Sequence, residues 1–193
     1  SWLHVRFNYI EQERDARMIK SEINEHQTVV NETFDDEMIA NIYLVGKIID
    51  EAFKNNGKVI IFGNGGSAAD AQHISAEFIS KLKKNRKSLP AIALTVDTSA
   101  LTAIGNDYGY EDLFSRQISS LCSKQDIVIG ISTSGNSKNV IKALQESNEI
   151  GAKTIGFSGV DGIKGVDLDF DLRAKSKVTA RIQEVHIMFG HLI

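Results

Sequence analysis

Four short runs of strand-forming residues, KVIIFG (58–63), PAIALTV (90–96), DIVIGIST (126–133) and AKTIGFSG (152–159), alternate with stretches whose apolar residues recur at helical spacing. A helix between two strands returns the chain to its starting edge, so the strands pair in parallel and the helices cover both faces. A fifth run, VDLDFDLR (166–173), completes the expectation of an α/β fold with a doubly wound, mainly parallel five-stranded sheet. Ahead of the first strand, residues 8–56 hold no proline and no glycine before Gly46, and Met38, Ile39, Ile42, Val45, Ile48, Ile49 and Phe53 follow a helical stripe. Two long helices are expected there, stopped by Asn55-Asn56-Gly57. Residues 1–56 form a helical arm in this reading, and its apolar faces need a cover that self-association can supply. Residues 57–193 form the ligand-binding domain, the two parts making one folded unit, and TARIQEVHIMFGHLI (179–193) is again helical.

With 22 basic and 25 acidic residues, a net charge of −3, the chain has no general electrostatic reason to bind nucleic acid or an anionic membrane. A small molecule or another protein is the expected partner, and the basic run Lys81–Lys87 is taken as a solvated loop. One cysteine, Cys122, excludes an internal disulfide framework and suits a reducing compartment. No stretch approaches the roughly 20 apolar residues needed to span a bilayer, and the opening SWLHVRFNYIEQERDAR lacks the core of a signal peptide. A cytoplasmic protein is expected.

Ligands of an open parallel sheet bind outside the carboxyl ends of the strands, so the residues that leave those ends carry the function. The first strand runs into Gly63-Asn64-Gly65-Gly66-Ser67. Glycine lets the backbone turn sharply beside a ligand, and the helix starting near Ser67 aims free N–H groups and the positive end of its dipole there. The third strand ends in Ser132-Thr133-Ser134-Gly135-Asn136-Ser137, whose four hydroxyls exceed the one that would cap a helix. Together these turns predict a neutral cradle for a phosphate monoester. No G-x-x-x-x-G-K-[ST] string occurs, which argues against nucleotide hydrolysis. Gly63-x-Gly65-x-x-Ala68 fits the dinucleotide fingerprint loosely, but the acid due about 20 residues later is missing, the nearest at a strand end being Asp97. The first helix also carries Asp70, His73 and Glu77 on one face. His73 and Glu77 are one turn apart, so both can converge on one proton or metal ion.

FGNGGSAADAQH, STSGNS and ARIQEVHIMFGH, in that order, resemble the sugar isomerase (SIS) domain family and, within it, the phosphoheptose isomerases, which interconvert sedoheptulose 7-phosphate and D-glycero-D-manno-heptose 7-phosphate. The resemblance runs from near Val30 to the last residue. It implies a flavodoxin-like sheet, a homotetramer with active sites at subunit interfaces, and a divalent metal in each subunit, usually zinc. The product would supply ADP- or GDP-heptose for lipopolysaccharide or capsule. The resemblance places substrate against Asn64, Gly65, Gly66, Ser67, Glu77, Asn106, Asp107, Ser132, Thr133, Ser134, Ser137 and Gln183. It places the metal on His73, Glu77, Gln183 and His191. Imidazole and carboxylate suit zinc. Gln183 and His191, however, stand about 12 Å apart along one helix, so a single ion needs both side chains to lean toward it or ligands from two subunits. His186, one turn from Gln183, competes on geometry, while the register of the motif favours His191.

Aldose–ketose conversion moves a proton between adjacent carbons through an enediol, which requires a carbon base, a proton shuttle at the oxygens and stabilisation of the charge. Glu77 is the expected base. His191 is the expected shuttle, since an imidazole exchanges protons near neutral pH. The serine loop would hold the phosphate at the far end, so that the reacting carbons meet Glu77. The same fold also occurs in tetrameric scaffolds that bind the bacterial replication initiator, and KSLPAIALTVDTSALTAIGND (87–107) has some likeness to them. Those scaffolds lack the equivalents of Glu77 and His191, which this chain has. A sugar-phosphate-sensing regulator would need an attached DNA-binding domain, for which the chain has no spare length.

Overall fold

A computed structural model describes residues 2–193, with side chains from Glu11 onward. The chain opens with two helices, α1 (Trp2–Thr33) and α2 (Asp36–Lys54). Asp35 separates them, its carboxylate accepting from the Met38 N–H as the N-cap of α2. Met38, Ile42, Val45, Ile49 and Ala52, spaced at three and four residues, bury one face of α2 against the sheet. On α1, by contrast, Met18, Ile19 and Ile23 are exposed.

The strands are β1 (Val59–Gly63), β2 (Ala91–Ala93), β3 (Ile127–Ile131), β4 (Lys153–Ser158) and β5 (Phe170–Arg173). They form a sheet in the order β2-β1-β3-β4-β5, parallel at every pairing. Helix α3 (Gly66–Ile79) connects β1 to β2. A longer path through α4 (Thr98–Asp107), a 3-10 turn (Tyr110–Asp112) and α5 (Ser115–Leu121) leads to β3. Helix α6 (Lys138–Ile150) connects β3 to β4, loop 159–169 reaches β5, and α7 (Thr179–Leu192) follows. The doubly wound α/β expectation therefore holds, and the sheet is parallel throughout.

Because successive strand residues point to opposite faces, β1 feeds two cores. Val59 and Ile61 pack with residues of α2, α3 and α7, whereas Ile60 and Phe62 pack with residues of α5 and α6. Burial on both sides explains why β1 and β3 are apolar runs rather than alternating ones. The strand order reverses between β1 and β3, and the crevice outside their carboxyl ends is where this topology places a ligand. No helix among the described residues is long and apolar enough to cross a membrane.

Candidate active site

Two turns form the crevice. In the turn after β1, Gly65 has φ +57° and serves as the N-cap of α3, so no side chain satisfies the first N–H groups of that helix. The matching position of α6 is Ser137, which also makes no side-chain capping bond. Two other helices are capped by a side chain: Asp35 caps α2, and Asp97, the acid considered for a ribose, accepts from the Ala100 N–H and caps α4. The two helices that begin at the crevice thus keep N–H donors for a ligand.

The serine loop is braced from behind. Gly135 has φ +71° and no room for a Cβ, which would collide with the Gly162 carbonyl, and its own carbonyl accepts from the Lys164 N–H at 3.0 Å. Asp171 fixes the bracing loop by accepting from the Ser158 hydroxyl (2.6 Å), the Ile163 N–H (3.0 Å) and Arg173 Nε (3.1 Å). Ser132 is buried; its hydroxyl donates to Ser137 Oγ at 2.9 Å and its N–H to the Phe157 carbonyl. Neither donor of Ser132 is free, so this residue shapes the loop. Ser134 Oγ and Ser137 Oγ act as acceptors, from the Asn136 N–H and from Ser132, which leaves their own protons for a ligand. Beside the loop lies a hollow of about 100 Å³ lined by Thr133, Ser134, Gly159, Asp161, Gly162, Lys177 and Ile182.

Helices α3 and α7 run side by side in the same direction. Gln183 fills the space where Gly66 lacks a side chain, and Gly190 is pressed against Ile74. The same register brings His191 to His73, with ring centroids 5.1 Å apart. His73 Nε2 lies 3.1 Å from Glu77 Oε1, and ligand atoms of His73, Glu77 and His191 all fall within 4.8 Å of one another. Gln183 is not in this group. It sits at the start of α3, and His73 comes seven residues after Gly66, about 10 Å along the axis. His186 is fully buried, bonded to the Ser158 carbonyl at 2.8 Å, and burial pushes its pKa down to about 4. A neutral core imidazole is no competitor for a metal at the surface.

The remaining expected residues are more scattered. Ser67 is buried in the first turn of α3. Asn106 and Asp107 end α4, exposed, with the Asn106 amide donating to the Asp107 carboxylate at 2.8 Å. Asp70 has one carboxylate oxygen without a partner, and burial raises its pKa against the pull of His73. A larger hollow of about 490 Å³, lined by residues such as Ile48, Ala52, Lys124 and Ile127, holds none of the expected residues. It lies at the amino ends of the strands, opposite the crevice.

The SIS domain family matches residues 23–159. The phosphoheptose isomerase of a Nitratiruptor species is 53% identical over 176 residues, which cover 91% of this chain and 94% of that protein. The chain belongs to the phosphoheptose isomerase family. The phosphoheptose isomerase of Aliarcobacter butzleri is 57% identical over 148 residues, covering 76% of this chain and 78% of the relative. Among solved structures, phosphoheptose isomerase from Neisseria gonorrhoeae superposes with a TM-score of 0.83 at 39% identity, covering 91% of this chain and 95% of that one. The phosphoheptose isomerase from Francisella tularensis gives 0.85 at 32% identity, covering 92% and 94%.

In this phosphoheptose isomerase fold, two residues that composition and motif did not single out stand at the crevice. Asn139 and Asn64 exchange amide hydrogen bonds, and the Tyr110 hydroxyl also reaches Asn64. Asn139 had a signal in the sequence, a polar side chain in the first turn of the helix that follows the serine loop. Tyr110 had none, because its approach depends on the path between α4 and α5. His73, Glu77 and His191, two imidazoles and a carboxylate, form a donor set that suits a borderline divalent cation.

Proposed function

We propose that this chain isomerises sedoheptulose 7-phosphate to D-glycero-D-manno-heptose 7-phosphate through an enediol, for heptose biosynthesis. The observation that carries the reading is the convergence of His73, Glu77 and His191, a base and a proton shuttle, in a chain that also holds an uncapped two-turn phosphate cradle. Backbone N–H groups of Gly65 and Gly66, with the hydroxyls of Ser134 and Ser137, bind the phosphate. Glu77 takes the proton from C1 of the ketose and returns it to C2. His191 moves the hydroxyl proton from O1 to O2, so the sugar gains and loses nothing. Glu77 Oε1 lies 3.1 Å from His73 Nε2, so Oε1 is the oxygen turned to the imidazole side, where a cation would sit, and Oε2 is left for the carbon proton. A divalent cation on His73, Glu77 and His191, zinc being the best match to those donors, would stabilise negative charge on the sugar oxygens when bound.

The site is completed by a second copy of the chain. Ser67 and Glu77 are ten residues apart on α3, about 15 Å. The exposed apolar residues of α1 support self-association, with the cradle of one chain served by the cluster of another in a homotetramer whose active sites lie at subunit interfaces. In that arrangement Gln183, which touches the cradle end of α3, contacts the sugar and can reach the neighbouring copy's cation.

The test is to incubate the zinc-loaded protein with sedoheptulose 7-phosphate and measure the aldose, then repeat after chelation and after zinc is restored. Turnover that falls with chelation and returns with zinc is expected. Binding of the ketose without any aldose would overturn the isomerase reading in favour of a non-catalytic scaffold.

A further inference from the structure

Three hydrogen bonds fix the Asn64 carboxamide. Its Nδ2 donates to Asn139 Oδ1 at 2.8 Å, its Oδ1 accepts from Asn139 Nδ2 at 2.9 Å, and Oδ1 accepts again from the Tyr110 hydroxyl at 3.0 Å. A carboxamide offers two N–H donors and an oxygen with two acceptor sites. Both acceptor sites are filled here, and one N–H remains. Rotating the Asn64 amide alone would set Nδ2 against Asn139 Nδ2, and rotating both amides together would keep the pair but give up the bond that the Tyr110 hydroxyl donates to Oδ1. Asn139 is 3% exposed, so its own amide has no water to fall back on and holds the arrangement.

Building on the proposed sugar-phosphate site, we infer that Asn139 and Tyr110 are positioning residues that lock Asn64 so that it presents only an N–H donor to the crevice. The ligand group that matches is an acceptor oxygen, either of the phosphate or of the sugar hydroxyl nearest it. The lock also couples the two turns of the cradle. Asn64 belongs to the turn after β1 and Asn139 to the first turn of α6, so the amide pair sets the spacing of two helix N-termini that face one anion. A ligand hydroxyl or N–H that needed an acceptor from Asn64 would find none.

Tyr110 allows a clean test because it is 63% exposed, and Tyr110→Phe removes one hydroxyl without disturbing the core. Freed of that bond, the Asn64 amide populates both orientations. Tyr110→Phe should raise KM and the calorimetric Kd for sedoheptulose 7-phosphate about 2-fold, as the orientation that presents N–H falls to about half of the population. Its kcat should stay within about twofold and its melting temperature unchanged. Asn139→Ala should raise KM by a larger factor, at some loss of melting temperature. In an Asn64→Ala background, Tyr110→Phe should have no further effect on Kd, since it acts only through Asn64. An equal effect of Tyr110→Phe with and without Asn64, or no effect in the wild-type background, would overturn the proposal. Calorimetry needs no turnover, so a protein that bound the ketose phosphate without isomerising it would sink the reaction proposed above and leave the lock to be judged on Kd alone.

Discussion

Replacing Glu77 with Gln keeps the side chain's size and its acceptor toward His73 while removing its ability to take a proton. Turnover should fall by at least about 10²-fold, the low end for the loss of a general base, while calorimetry still detects sugar-phosphate binding. In heavy water the wild type should place deuterium on the carbon beside the carbonyl, and Glu77→Gln should not; near-normal exchange by the variant would remove Glu77 from the chemistry. His186 makes the opposite kind of test. Burial, against a hydrogen bond to the Ser158 carbonyl and the nearby Asp171 carboxylate, lowers its pKa from 6.5 to about 4. The fold therefore holds the neutral imidazole, and the unfolded chain takes up the proton first as pH falls. Stability from this residue is complete above pH 6.5 and is lost as pH drops toward 4, by about 3 kcal/mol in all. His186→Gln retains a donor for Ser158 without titrating. Its melting temperature should fall less steeply than the wild type's between pH 6.5 and 4, with turnover near pH 8 affected far less than in His191→Asn.

Helices α3 and α7 act as one unit, because small residues let them touch. A Cβ on Gly190 would run into the Ile74 side chain, one residue from both His73 and His191. Gly190→Ala should push the helices apart and lower stability by about 1–3 kcal/mol, with a larger loss of activity as His191 leaves Glu77. Ile74→Val on the same chain should restore part of both; if it restores neither, the contact is not what positions His191. This pair also shows what sequence reasoning reached and what it missed. The strands and their parallel pairing followed from apolar runs, since burial on both faces writes itself into composition. His73 and Glu77 followed from helical spacing. The position of His191 on that same cluster, and of Gln183 two turns away at Gly66, depends on how two helices distant in sequence align, which no local pattern records. The serine loop was recognised from its hydroxyls, but sequence could not tell that Ser132 turns inward to hold the loop while Ser134 and Ser137 keep their protons. Asn64, too, was expected at the site, while the partners that orient its amide became apparent only with the path of the chain through Tyr110 and α6.

At the scale of the whole molecule, the exposed apolar residues of α1 point to self-association. Met18, Ile19 and Ile23 leave α1 with a surface that needs a cover. Arg181, almost buried, ties α1 to α7 through the Glu22 carbonyl and carboxylate, both at 2.9 Å, and His26 adds a 2.7 Å bond to Glu184. The arm is thereby anchored to the helix that carries Gln183 and His191. Deleting residues 1–30 would break that anchor as well as any subunit contact, so the loss of activity it causes would not separate the two effects. Complementation does. A chain carrying Ser134→Ala with Ser137→Ala has a weakened cradle and an intact cluster; a chain carrying Glu77→Gln has the reverse. Each alone should be nearly inactive at low substrate. If every site takes its cradle from one chain and its cluster from another, equal co-expression gives an intact cradle in half the sites and an intact cluster in half of those. About a quarter of wild-type activity should return. Sites built from a single chain would always carry one defect, and mixed oligomers would remain as inactive as their parents. Mass measurement of the co-purified, differently tagged chains would confirm that they had mixed, and no recovery in such a preparation would confine the active site to one subunit.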